Sequence, residues 1–69
     1  MNVLNVSVNG ESRALATGTT LDTLVANLTA AATGVAAAVN EAVVPRSQWS
    51  GTLLDDGDRV EVLTAVQGG

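Results

Sequence analysis

Leu4, Val6 and Val8 alternate with Asn5 and Ser7 and run directly into Asn9-Gly10. The alternation has the period of a strand with one buried face. Asn-Gly suits a two-residue type I′ turn because both central residues there need positive φ. The start of the chain is therefore committed to an antiparallel hairpin, with a second strand over roughly Glu11 to Leu15. The apolar face of that hairpin needs a cover, and the following segment supplies one.

Thr19-Thr20-Leu21-Asp22 fits a capping box, in which the Thr19 hydroxyl and the Asp22 carboxylate would satisfy each other's backbone amides. Leu21, Leu24, Val25 and Leu28 then fall at i, i+3, i+4 and i+7, one apolar stripe of an amphipathic helix. Alanines 30 to 32 continue it, and Gly34 offers a left-handed stop, so the spacing predicts a helix near residues 20 to 32. Val35 to Val39 is a short apolar run bounded by Gly34 and Asn40, which reads as a buried strand. Asn40-Glu41 is a tight turn, Ala42 to Val44 a brief return strand, and Pro45 to Trp49 a helical turn with proline at its start. After the acidic turn Asp55-Asp56-Gly57-Asp58, the segment from Arg59 to Val66 alternates again and becomes apolar on both faces, as a central strand does.

The order is strand, strand, helix, strand, short strand, strand. An α+β fold results, a mixed sheet of four to five strands with one main helix packed on one face, which is the ubiquitin-like β-grasp arrangement. At 69 residues there is room for one core, so residues 1–66 form a single domain and residues 67–69 a flexible tail. The hydrophobic fraction of 46% overstates that core, because 11 of the apolar residues are alanine. Trp49, the single aromatic residue, is expected to anchor the packing at a sheet edge.

Composition also removes most chemistries. The chain has no Cys, His or Lys, and hence no thiol nucleophile, no imidazole base, no Schiff base and none of the usual zinc or haem ligands. Seven acids against three arginines give a net charge of −4, the wrong sign for phosphate neutralisation, so no nucleic-acid partner is expected. No apolar run approaches the roughly 18 residues of a membrane span, and the N-terminus lacks the pattern of a secretory signal, which makes cytoplasm the expected compartment. The acidic turn is a fragment of a calcium loop, but its twelfth position is Val66 rather than glutamate, so no metal is expected there. Glu41 and Glu61 show no spacing that would converge them as an acid/base pair. Arg46 and Arg59 read as surface charges, Arg46 being the better placed of the two for a partner contact.

Attention then moves to the end of the sequence, Gly68-Gly69. Taken alone, two final glycines fit a frayed end as well as a functional one. The functional reading is one of access: without a Cβ, the last residues can enter a narrow channel. Extended, Val66 to Gly69 can reach about 13 Å.

Ala38-Val39-Asn40-Glu41, Val43-Val44-Pro45-Arg46-Ser47-Gln48-Trp49, Asp56-Gly57-Asp58-Arg59-Val60-Glu61 and Ala65-Val66-Gln67-Gly68-Gly69 together resemble the ThiS family of sulfur carriers in thiamine biosynthesis. The resemblance implies that the chain is a co-substrate rather than an enzyme. The Gly69 carboxylate would be adenylated by an E1-like (ThiF-like) adenylyltransferase using MgATP, with no cofactor held by this chain. A sulfur donor such as a cysteine desulfurase would supply sulfur to form a thiocarboxylate, and thiazole synthase (ThiG-like) would receive it. Gly68 matches the family motif directly, and Gln67 and Val66 are implied as tail contacts with the partner. The carrier would be a monomer on its own. The nearest alternative is the small subunit of molybdopterin synthase, which shares the fold and the thiocarboxylate chemistry, and a third is a non-catalytic β-grasp interaction module. A partner surface is expected to combine the tail with a sheet face around Leu63 and Ala65, rimmed by acids such as Asp56 and Asp58.

Overall fold

The computed structural model describes residues 2–30 and 34–64. The opening hairpin forms as its alternation requires. Strand β1, Val3–Val8, pairs antiparallel with β2, Glu11–Ala16, in a register running from Val3 opposite Ala16 to Val8 opposite Glu11. Asn9 and Gly10 take φ of 51° and 86°, both positive as a type I′ turn demands. Strand β3, Val35–Val39, turns through Asn40 and Glu41, also both at positive φ, into the two-residue β4, Ala42–Val43. A 3-10 helix spans Arg46–Gly51 directly after Pro45. Strand β5, Arg59–Thr64, completes a five-stranded sheet of order β2-β1-β5-β3-β4, parallel only between β1 and β5. This is the mixed sheet with one covering helix that the order of elements predicts.

The helix, α1, departs from expectation at both ends. It runs over Leu21–Leu28, four residues short of the expected end, and Thr29 is already extended, at φ −151° and ψ 146°. Helices in proteins persist chiefly where a face is buried. Leu21, Leu24 and Val25 are buried and Leu28 is packed against the core, and beyond them the sequence offers only alanines, too small to extend the stripe. Gly34, at φ 73°, is therefore not the helix stop; it precedes β3. Residues 31–33 lie outside the described part.

The capping box at Thr19 does not form either. Thr20 is the N-cap, its hydroxyl hydrogen-bonds the Asp22 carboxylate, and no side chain caps a backbone amide. The Thr19 hydroxyl instead donates to Ala16 O at 2.6 Å. The cause is tertiary. Thr20 bridges Leu53, Leu54 N–H donates to Thr19 O, and Leu21 N–H donates to Thr52 O at 2.9 Å, so a neighbouring strand-like segment satisfies the first helical amide.

One face of the sheet carries the core. Leu4, Val6 and Val8 from β1, Val60 and Val62 from β5 and Ala37 from β3 meet Leu21, Leu24 and Val25 of α1, with Leu54 and Trp49 completing the cluster. Trp49 is buried, and its indole N–H donates to Val44 O at 2.8 Å, which ties the segment just after edge strand β4 to the helix layer. The anchoring role expected of the only aromatic residue is thus observed.

A core built almost wholly of leucine and valine has little redundancy. Leu24→Ala should lower the unfolding free energy by about 3 kcal/mol, whereas Leu53→Ala, at a position 64% exposed, should change it by less than about 0.5 kcal/mol. Urea unfolding of both variants checks the contrast.

Candidate functional site

Strand β5 lies in the middle of the sheet, with β1 on one side and β3 on the other, so the residues beyond Thr64 continue from its centre rather than from an edge. Val66, Gln67, Gly68 and Gly69, the expected reactive end, lie outside the described residues, as does Ala65. The described part supplies the root of that end and the surface beside it.

The surface is the sheet face opposite α1. The register places Ala36 beside Leu63, Ala38 beside Glu61 and Val43 beside Ala38, and alternation turns all of these away from the core. Leu63 is 70% exposed and Val43 77% exposed. Small alanines between them leave a shallow, open apolar patch with Glu61 in it, next to where the chain leaves β5. The expected partner surface around Leu63 is thereby present.

The acidic turn has a different occupation from the one a rim of free charges needs. Asp58 accepts from Asp55 N–H at 2.8 Å with one carboxylate oxygen and from Asn40 Nδ2 at 2.9 Å with the other. Asp56 accepts from Asn5 N–H at 2.7 Å, and Gly57, at φ 88°, donates its N–H to Asn5 O at 2.7 Å. These carboxylates frame the turn that aligns β5 with β1. Glu61, on the open face itself, is the acid adjoining the patch.

The remaining charged candidates are not brought together. Arg59 pairs with Glu41 at 3.0 Å, both largely exposed, a contact worth little in water. Glu41 is thus partnered away from Glu61. Arg46 lies over the Trp49 ring, 5.4 Å from its centroid, at a cavity of about 460 Å³ lined also by Asp22, Val25 and Ser50. That cavity is on the helix side, away from the Leu63 face. Among the described residues no group of His, Cys, Asp and Glu is arranged to hold a metal ion.

Two asparagines carry more than sequence reasoning assigned them. Asn9 N–H donates to Val60 O at 2.9 Å, while its side chain grips Val62 twice: Val62 N–H donates to Oδ1 at 2.9 Å and Nδ2 donates to Val62 O at 3.1 Å. Asn40 N–H donates to Arg59 O at 2.7 Å, and Arg59 N–H donates to Asn40 Oδ1 at 2.9 Å. Both were visible as turn residues, Asn-Gly and Asn-Glu, but nothing local reveals a side-chain partner some fifty residues on.

A turn held this way should depend on Asp58 for stability. Asp58→Ala removes acceptors for Asp55 N–H and Asn40 Nδ2 and should lower stability by about 1–2 kcal/mol in calcium-free buffer; a urea midpoint equal to the parent's would show that the turn holds without it.

Comparison with known proteins agrees with this geometry. The model of the ThiS family matches residues 6–69. The sulfur carrier protein ThiS of Escherichia coli (strain K12) is 30% identical over 66 residues, covering 96% of this chain and all of that protein. The crystal structure of a thiamine biosynthesis protein (ThiS) from Geobacter metallireducens superposes with a TM-score of 0.79 at 32% identity, over 96% of this chain and all of that one.

Proposed function

The chain belongs to the ThiS family, and on that premise we propose that it is a sulfur carrier of thiamine biosynthesis whose reactive group is the main-chain carboxylate of Gly69. The observation that carries the reading is the family match reaching residue 69 on a chain with no Cys, His or Lys to react in its place. The position of β5 supports it. A central strand paired on both sides is a rigid root from which a side-chain-free end can be inserted into another protein.

The chemistry follows from what a carboxylate lacks. It is a poor electrophile until one oxygen becomes part of a good leaving group. An E1-like adenylyltransferase holding MgATP provides this: a Gly69 carboxylate oxygen attacks the α-phosphorus, pyrophosphate departs, and an acyl-adenylate remains. Sulfur delivered by a donor such as a cysteine desulfurase then takes the place of AMP on the acyl carbon. The product thiocarboxylate has a softer and more nucleophilic terminal atom than the carboxylate, which suits transfer to a thiazole synthase. The domain holds no cofactor of its own. Its work is to dock, present the end of the chain and stay inert elsewhere. Gly68 keeps the approach narrow, and Val66 and Gln67 contact the channel wall.

The open face around Leu63, Ala36, Ala38 and Val43 is the docking surface for these partners, with Glu61 as its nearby acid. It is apolar at the centre and small in profile, as the middle of a transient interface tends to be.

Incubating the chain with its cognate adenylyltransferase, MgATP and a sulfur donor should replace one oxygen of Gly69 by sulfur, read by intact-protein mass spectrometry. An unchanged mass would overturn the carrier reading. Adding one alanine after Gly69 should abolish the exchange while leaving the unfolding curve unaltered. Leu63→Glu should weaken partner binding by roughly tenfold or more, as loss of a central apolar contact does, with the same unfolding midpoint; calorimetric titration checks it.

A further inference from the structure

The parallel pairing of β1 with β5 covers only Ser7 opposite Arg59 and Val8 opposite Val60, because β1 ends where Asn9 takes a positive φ and the chain turns away. Beyond Val60 the β1 side of β5 would have no ladder. The Asn9 carboxamide fills that place: its Oδ1 accepts from Val62 N–H at 2.9 Å and its Nδ2 donates to Val62 O at 3.1 Å, so one side chain acts as a further rung. On the opposite side β3 pairs with β5 as far as Val35 opposite Thr64. Val62 is therefore the last point in the described part of β5 at which the strand is held from both sides. Seven residues follow it, spanning at most roughly 25 Å when extended.

We propose that Asn9 is a positioning residue for activation of the carboxyl terminus: by holding Val62 on its open side it fixes the root and direction of the segment that carries Gly69. The inference rests on the adenylation reading above. In a narrow channel an extended segment transmits the placement of its root, and an error of about 1 Å at a reacting atom can lower a rate by up to 100-fold. Docking of the domain face around Leu63 is a separate contact and does not depend on Asn9.

The fold contains its own control. Asn40 holds the same strand at its other end through Arg59 and Asp58, far along the chain from Gly69. Both asparagines have a φ of 51°, a conformation glycine adopts freely, so Asn9→Gly and Asn40→Gly each remove a side-chain clamp while keeping the turn.

The test titrates the full chain, wild type and both variants, against the cognate adenylyltransferase with MgATP, following pyrophosphate release and measuring partner Kd by calorimetry below the unfolding transition. Asn9→Gly should lower kcat at least about fivefold with Kd within about twofold of wild type, and Val62 N–H should lose hydrogen-exchange protection. Asn40→Gly should lose comparable stability with kcat unchanged. A purely structural role predicts otherwise: a smaller folded fraction raises the apparent KM and leaves kcat alone. Equal kcat for Asn9→Gly and wild type, or equal losses of kcat in both variants, would overturn the proposal. If Asn9→Gly does not fold, Asn9→Asp decides in the same way, because it keeps the acceptor for Val62 N–H but sets a carboxylate oxygen against Val62 O. A wild-type chain that is not adenylated at all brings down the underlying reading instead, and the proposal with it.

Discussion

The pairing of β1 with β5 is the constraint on which the rest of the architecture depends. These two strands are far apart in sequence and run parallel, so no short turn can join them, and everything between must form the crossover. That requirement places α1 over the sheet, pushes β3 and β4 to the far side and leaves β2 as an edge. The ladder itself is short. It is reinforced at its start by the backbone of the acidic turn, through Asn5 and Ser7, and continued at its end by Asn9.

The same strand explains why burial and function do not compete. Alternation along β5 sends Val60 and Val62 into the core and Glu61 and Leu63 to the open face. Six residues thus serve two surfaces at once, and the strand that contributes most to cohesion between the two halves of the sheet also leads to the end of the chain. A carrier needs this union, since its substrate atom is its own terminus and must be presented by something that does not yield when a partner pulls on it.

Most of this was legible in the sequence wherever the signal was local. The hairpin at Asn9-Gly10, the stripe from Leu21 to Leu28, the strand from Val35 to Val39 and the alternation after Asp58 each follow from period and turn chemistry alone, and the structure has them. The errors came where distant residues decide. Alanines 30 to 32 have high intrinsic helix propensity, yet the helix stops at Leu28 because no larger apolar side chain follows to be buried. Thr19 has the right spacing for a cap but is drawn into a bridge with the segment 52–54. Asp56 and Asp58 look like free charges in the sequence and are bound to Asn5, Asp55 and Asn40 in the fold. Of the site, sequence alone singled out Leu63 and the final glycines, whereas the asparagine clamps became visible only once β5 was placed between its neighbours.

The burial of Trp49 has an optical consequence. As the only aromatic side chain, it is the sole source of near-ultraviolet absorption and of intrinsic fluorescence, and its ring lies in a dry junction with its N–H bound to Val44 and the Arg46 guanidinium above it. The chromophore therefore reports on the helix layer and on the loop after β4. The Leu63 face, on the other side of the sheet, has no chromophore of its own. Light emitted by this molecule follows its unfolding, while an exchange of atoms at its terminus passes without a change of colour and must be weighed instead.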